Sequence, residues 1–403
     1  MATNTQDFPC VDSSASESCA GCIPFSLEVD EVGIMSDELP TTMDESNATT
    51  AKATPGQAWL EVAGSRYFLD WLEEQRISLA FSTYQTGKLF LVGRKPDRQL
   101  GVFERTFSHC MGLCASADSH TLWMNSRYQL WRFDNMLPVG GQHDGFDAVY
   151  VPRVGYTTGH LDVHDIAVEA SGRVVFVNTM FGCLATLSDR ASFQPLWRPP
   201  FVSAVAPEDR CHLNGLALRD GRVRYVTACG RSDVPEGWRE RRADGGLVID
   251  VQSGETVLSG LSMPHSPRWY RDKLWVLNSG CGEFGFVDAA SGTFQPLTFC
   301  PGYLRGLAFV GDWALVTLSL PRQRTFAGLP LNERLQQRGA VAQCGIYVID
   351  LKTGHVMHTV RLEGLVTELY DVIVLPGITR PKALGFKTTE IERMVLIDEA
   401  GVL

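Results

Sequence analysis

From residue 77 onward the alternation of hydrophobic and polar positions is that of strands, and it repeats. Ile77–Thr83, Lys88–Arg94 and residues 99–107 are β-branched or aromatic runs, the first two joined by Tyr84-Gln85-Thr86-Gly87. One short phrase then returns six times, an apolar run opened by polar or small residues. Its copies are Ser108-His109-Cys110-Met111-Gly112-Leu113, Asp162-Val163-His164-Asp165-Ile166, Cys211-His212-Leu213-Asn214-Gly215-Leu216, Pro264-His265-Ser266-Pro267-Arg268-Trp269, Tyr303-Leu304-Arg305-Gly306-Leu307 and Glu368-Leu369-Tyr370-Asp371-Val372. Anchored on Met111, His164, Asn214, Ser266, Arg305 and Tyr370, the intervals are 53, 50, 52, 39 and 65 residues. A supersecondary unit recurring at roughly 40–50 residues is the signature of propeller blades.

The units share a grammar. A second strand closes on a polar and a small residue, as in Val174-Val175-Phe176-Val177-Asn178-Thr179, and a third ends in Asp followed by a Gly-closed turn, as in Ile349-Asp350-Leu351-Lys352-Thr353-Gly354. The sixth phrase has too little chain after it for a blade of its own, and strands 77–107 lack a first strand. Joined, the two make one blade and leave no open sheet edge in the ring. The expected fold is an all-β, six-bladed β-propeller closed by N- and C-terminal strands. Ahead of it, Trp59, Leu60, Tyr67, Phe68, Leu69, Trp71 and Leu72 have helical spacing, with Ser65 placed to cap a short helix reaching Arg76. Residues 1–55, rich in Ser, Thr, Asp and Glu and without either period, read as a disordered acidic tail, which leaves 56–403 as a single propeller domain. Cys19 and Cys22, with Cys10 upstream, have redox or metal spacing but no second pair, and read as chance.

Composition narrows the partners. A net charge of −10 argues against nucleic acid and against an anionic membrane surface. No apolar run approaches the roughly 18–20 residues that span a bilayer. The first residues lack the basic start and apolar core of a secretory signal, and the 11 cysteines are scattered. A cytoplasmic protein with reduced thiols is the expectation.

Up-and-down strands place the start of all six phrases on one face of the ring, together with the loops after Ser82, Asn125, Asn178, Ala228, Asn278 and Ser319. Two of these loops are long: 230–244, with Trp238, and 320–343, with Arg322, Arg324 and Arg334. His109, His164, His212 and His265 come from four successive units and lean toward one axis. Neutral imidazoles suit a divalent transition metal, zinc or iron first, and three of them leave a position open for substrate or water. Asp162, Asp165, Glu283 and Glu368 are placed to orient an imidazole or act as bases. Tyr303, Arg305, Arg268 and Tyr370 would hold a carboxylate or polarised oxygen. By strand alternation His109 and His212 share a register, and His164, two residues later, faces the same way. His265 is out of phase by one and needs a distortion at Pro264 or Pro267 to join them. His160 lies on a loop. The same side chains also fit a channel whose polar groups bond only to backbone carbonyls and water.

No G-x-S-x-G, Walker or H-E-x-x-H motif occurs. The leading expectation is a metal-dependent lyase or hydrolase acting on a small polar or peptide-like substrate in the axial channel. Beside it stand a non-catalytic propeller that binds a protein or glycan through its long-loop face, and a non-haem iron oxygenase with histidine ligands.

The motifs Ser82-Thr83-Tyr84-Gln85-Thr86-Gly87-Lys88-Leu89-Phe90-Leu91-Val92-Gly93, Asp162-Val163-His164-Asp165, His212-Leu213-Asn214-Gly215-Leu216-Ala217 and Met263-Pro264-His265-Ser266-Pro267-Arg268 carry a resemblance. Together they resemble a largely uncharacterised bacterial conserved-hypothetical family over about residues 55–385. The resemblance implies the propeller and supplies no activity. More loosely, the residue types are similar to those of the peptidylglycine amidating lyase propeller, in which three axial histidines hold zinc beside a tyrosine and arginines. They are also similar to those of carotenoid-cleaving propellers, which hold iron with four histidines on seven blades.

Overall fold

The protein, seen here as a computed structural model that describes residues 59–288, 291–322 and 328–397, is a ring of six antiparallel sheets. Blade 1 is the closing blade. Its innermost strand is the C-terminal Leu369–Pro376, followed outward by Ile77–Thr83, Lys88–Arg94 and Leu100–Thr106. The innermost strands of blades 2 to 6 are Leu113–Ala115, Val163–Val168, Leu213–Arg219, Pro264–Tyr270 and Tyr303–Val310. Each follows or contains one of the recurring phrases, so the repeat in the sequence is the inner wall of the ring. The proposed acidic tail and the Cys19/Cys22 pair lie outside the described residues.

Blade strands are apolar on both faces because each sheet is packed between two others. Alternation divides the side chains between the neighbours. Leu79, Phe81, Phe90 and Val92 of blade 1 face blade 6, whereas Ala80, Leu89 and Leu91 face blade 2. In blade 3, Phe176 packs toward blade 2, and Val175 and Val177 pack toward blade 4. The Asp-to-Gly turns form as their sequence predicts. Asp350 Oδ1 accepts from the amides of Lys352 and Thr353 at 2.7 and 2.9 Å, and Gly354, at φ 73°, donates its amide to the Asp350 carbonyl at 2.8 Å.

Both chain ends brace blades next to the closure. Leu60–Gly64 is a strand rather than the start of a helix, and pairs with Val356–Gly364 on the outer edge of blade 6. Pro381–Ala383 runs parallel to Ala148–Thr157 on the outer edge of blade 2. Between them the expected helix forms over Phe68–Gln75, and Phe68, Trp71 and Leu72 cover the seam between blades 6 and 1. Ser65 does not cap it with its side chain. Its hydroxyl accepts from the Thr359 amide in blade 6, and only its carbonyl receives the Phe68 amide. A second helix, Pro330–Gln337, lies in the long loop of blade 6. Among the described residues no helix is long and apolar enough to cross a membrane, and the cysteines are free thiols, nearly all buried.

Five of the six inner strands slip register at the phrase. The pairing skips between Val163 and Ile166, Leu213 and Gly215, His265 and Arg268, Leu304 and Leu307, and Leu369 and Val372. A bulge re-aims side chains, so consecutive residues can both face the axis instead of alternating. The neighbouring inner strands come close there. A Cβ on Gly306 would stand 2.7 Å from the Tyr370 carbonyl oxygen and 2.8 Å from the Val372 amide, which is why glycine follows the arginine in that phrase.

At the axis one buried cluster touches every blade. Arg268 of blade 5 donates through Nη1 to Asp165 Oδ2 of blade 3 at 2.7 Å and to the Leu216 carbonyl of blade 4 at 2.9 Å. Its Nε reaches the Leu307 carbonyl of blade 6 at 3.2 Å, and Nη2 lies 3.8 Å from Asp371 of blade 1. Asp165 also accepts the Leu216 amide, and Asp371 accepts the Leu113 amide of blade 2.

Burial pushes the Asp371 carboxyl up to about 7, with Arg268 opposing and Asp165 adding to the rise. A raised folded pKa means that the folded protein holds this proton where the unfolded chain, at 3.8, has lost it. The stability this confers is complete below 3.8 and lost as pH rises through 7. Asp371→Asn removes the titrating proton. In urea unfolding between pH 5 and 8, wild type should lose stability relative to Asp371→Asn as pH rises, by at most about 1.4 kcal/mol per pH unit. Parallel curves for the two proteins would refute the assignment.

Candidate functional site

The phrase-bearing face holds a cavity of about 430 Å³ on the ring axis. His164, His212, His265, Tyr303, Arg305 and Tyr370 line it from the inner strands or their entries, and Tyr84, Trp238 and Arg322 line it from the loops above. The chain enters several inner strands in the left-handed conformation, with φ of 52° at Asp162, 50° at His212 and 45° at Met263. Such values in residues other than glycine mark backbone held by its surroundings. His265 joins the other two histidines through the distortion its register required. That distortion lies at Met263 and at Ser266, where φ is 44°, inside the bulge between His265 and Arg268.

The three imidazoles are held in one tautomer. His164 Nδ1 lies 2.8 Å from the Asp162 carbonyl oxygen, which can only accept. It lies the same distance from Thr179 Oγ1, whose own proton goes to the Leu213 carbonyl at 2.6 Å. His265 Nδ1 lies 2.9 Å from the Met263 carbonyl oxygen, and His212 Nδ1 lies 2.9 Å from Asp209 Oδ2. Nδ1 is therefore the donor in each ring, and in His164 and His265, which burial keeps neutral, Nε2 keeps its lone pair. In His265 that lone pair faces the Asn214 amide nitrogen at 3.4 Å. The His164 and His212 rings meet edge to face with centroids 4.9 Å apart. Burial lowers the pKa of His164, and it drives that of His265 far down, helped by the charge of Arg305. Both rings are neutral bases at physiological pH.

Asp209 and Trp238 complete the His212 side. The indole stacks on the imidazole at 4.2 Å between centroids and donates Nε1–H to Asp209 Oδ2 at 2.9 Å. Opposite, Glu368 stands behind the cavity wall, buried between two guanidinium groups. It accepts from Arg305 Nη1 at 2.9 Å, and from Arg322 Nε and Nη2 at 2.6 and 2.7 Å. Burial alone would raise its pKa, but the two arginines hold it below the usual carboxylate range. The Arg305 guanidinium carbon lies 5.1–5.3 Å from the ring centres of Tyr84, Tyr303 and Tyr370. Burial drives the pKa of the Tyr303 and Tyr370 phenols upward, so both stay neutral donors.

Four expected site residues lie elsewhere: Arg268, Asp165, His109 and Glu283. Arg268 belongs to the axial cluster with Asp165 and Asp371, and its donors are spent on joining blades. His109 is half-buried beside Tyr84, at 6.1 Å between ring centroids, and lines a small separate crevice with His160. Glu283 pairs with Arg334 outside the cavity. Asp209 and Tyr84 carried no expectation. The spacing of Asp209, three residues before His212, was its only trace in the sequence. Among the described residues, the group of three His, Cys, Asp or Glu ligand atoms that all lie within 4.8 Å of one another is His143, Asp144 and Glu390, at the edge of blade 2. Lys382 already pairs with Glu390 there. The channel imidazole nitrogens are more widely set than that.

The chain belongs to the family described as Domain of unknown function (DUF4915), which it matches over residues 66–384. No curated protein matches the sequence. Among solved structures, a nidogen/laminin complex is similar at 12% identity and a TM-score of 0.47, covering 75% of this chain and 99% of that one. A gluconolactonase from Xanthomonas campestris is similar at 15% identity and TM-score 0.43, covering 72% and 86%. Virginiamycin B lyase from Staphylococcus aureus is similar at 10% identity and TM-score 0.36, covering 64% and 96%. No activity transfers at these values.

The neutral histidines have a consequence for stability. The unfolded chain protonates them near 6.5 and the folded protein resists, so stability is present above 6.5 and falls as pH drops below it. His265→Asn keeps an N–H able to reach the Met263 carbonyl but cannot titrate. Its stability deficit relative to wild type, measured by urea unfolding, should shrink as pH falls from 7 to 5. A deficit constant across that range would show that His265 is not held neutral.

Proposed function

We propose that the axial cavity is the active site of a metal-dependent enzyme of lyase or hydrolase type. His164 and His212 are the leading ligands, with His265 as the third, and the substrate is a small polar or peptide-like molecule. The observation that carries this reading is the shared tautomer. Three imidazoles from successive blades line one cavity, and each spends Nδ1–H on an oxygen of the protein scaffold. That is the arrangement by which outer-shell acceptors orient metal-binding histidines. Bringing the three nitrogens onto one ion requires the rings to draw together and His265 to release its long contact with Asn214.

A zinc or iron ion in that place would supply a Lewis acid. The protein's own groups define the rest. Asp209, fixed by Trp238, orients His212. Asp162, whose side chain is 23% exposed and 3.7 Å from His164 Nδ1, is the carboxylate placed to take a proton from a substrate or water. The neutral phenols of Tyr303 and Tyr370 are hydrogen-bond donors for a developing negative oxygen.

Elemental analysis of protein purified without a histidine tag tests the proposal. Stoichiometric zinc or iron is expected, lost in His164→Ala and His212→Ala with the melting transition retained, and kept in His143→Ala. Metal lost with His143→Ala instead would assign it to the edge of blade 2. Protein that takes up no metal would leave a propeller that binds a protein or glycan through this face.

A further inference from the structure

Asn214 stands where the recurring phrase supplies its cavity residues. In each slipped inner strand the pairing skips one or two residues, and the skipped positions include His164, Arg305 and Tyr370, all of which line the cavity. In blade 4 the skip from Leu213 to Gly215 leaves Asn214. Asn214 is 2% exposed, and its side chain meets His265 of blade 5. Gly215 lets the two strands come that close, since a Cβ there would stand 2.4 Å from Pro267 Cδ and 3.0 Å from the Ser266 amide nitrogen.

The Asn214 carboxamide is held at both ends. Its Oδ1 accepts the Thr227 hydroxyl at 2.8 Å, and its Nδ2 donates to Cys229 Sγ at 3.3 Å and to His265 Nε2 at 3.4 Å. This orientation agrees with the tautomer of His265, because the Met263 carbonyl takes the Nδ1 proton and leaves Nε2 an acceptor. Among the described residues no such donor meets Nε2 of His164 or His212. His265 is thus the one imidazole of the three whose Nε2 lone pair is already engaged, by a contact long enough to break readily.

We infer that Asn214 is a positioning residue that gates the third ligand. It holds the His265 lone pair away from an ion bound by His164 and His212, and His265 joins them only when the amide contact is broken. The inference rests on reading the three histidines as a metal site. It adds to that reading a regulated coordination number: with His265 withheld, a four-coordinate ion keeps two positions for water and substrate instead of one.

Zinc affinity reads the gate, measured by competition with a chelating dye on the full chain carrying His143→Ala, so that the edge of blade 2 contributes nothing. Asn214→Ala removes the competing donor and should bind zinc about three- to tenfold more tightly than the protein that keeps Asn214. The gain should vanish when His265→Ala is added to both proteins, because it works through that ring. Asn214→Leu combined with Thr227→Val leaves no buried hydroxyl without its acceptor. It replaces Asn214→Ala if that variant does not fold, and should show the same gain. In the metal-free protein, NMR should show the nitrogen resonance of His265 Nε2 moving away from the N–H range in Asn214→Ala while that of Nδ1 stays. Equal zinc affinity with and without Asn214, a gain that survives His265→Ala, or an unmoved Nε2 resonance overturns the gate and leaves the metal reading standing. Zinc taken up by none of these proteins overturns the metal reading, and the gate with it.

Discussion

The structure depends on a half-buried guanidinium at the ring axis that holds two buried carboxylates. Arg268 is an inner-strand cation whose partners come from blades 1, 3, 4 and 6, with blade 2 joined through Asp371. Removing one member of a buried ion cluster typically costs about 3–5 kcal/mol, because the remaining charges lose their compensation. Apolar seams between blades fix how sheets stack but tolerate small sliding, since dispersion is not directional. Directional bonds from one guanidinium to successive inner strands set the height of each strand relative to its neighbours. Hydroxyls at the second strands reinforce this: Thr179 donates to the Leu213 carbonyl, Ser319 to Leu369, and Ser82 to Met111, each across a blade boundary.

That constraint also makes the cavity. His164 and Asp165 are consecutive, as are Tyr370 and Asp371, yet each pair has both side chains toward the axis. The register slips at Val163–Ile166 and Leu369–Val372 permit it. The second member of each pair enters the Arg268 cluster and the first lines the cavity beside it. Stability and chemistry are thus one residue apart on the same strands, and a regular strand would supply only one of them. The positive φ values at the strand entries fit the same picture, since backbone strain of this kind persists where surrounding contacts over-determine the conformation.

Much of this was legible in the sequence, and the gaps have physical causes. The repeat interval and the missing first strand of residues 77–107 gave blade number and closure, because a sheet between two neighbours leaves a continuous apolar signal. The three cavity histidines were legible as a set. Arg268 was misplaced because an arginine at the end of a bulge cannot be assigned to the cavity or the axis by counting. His109 matched His212 in register, but its own phrase lacks the slip seen in the others and leaves it beside Tyr84. Strand Leu60–Gly64 was hidden because an edge strand with one exposed face has few apolar positions, and the aromatic cluster after it suggested helix. Asp209 and Tyr84 act through loops, where no period marks which side chain turns inward.

The two cavity walls differ in how they hold charge, and that difference bears on what the site can do. On one wall, burial keeps the His164 and His265 imidazoles neutral, so their lone pairs are available without a competing proton. On the other, a carboxylate fixed by two arginines keeps cations in place where burial alone would expel them. Trp238 and Arg322, which finish the two walls, come from the long loops 230–244 and 320–343, while the histidines, Arg305 and the buried tyrosines come from the inner strands or their entries. On the proposed function, variation in those loops would change which substrate fits while the strand-borne groups stay the same.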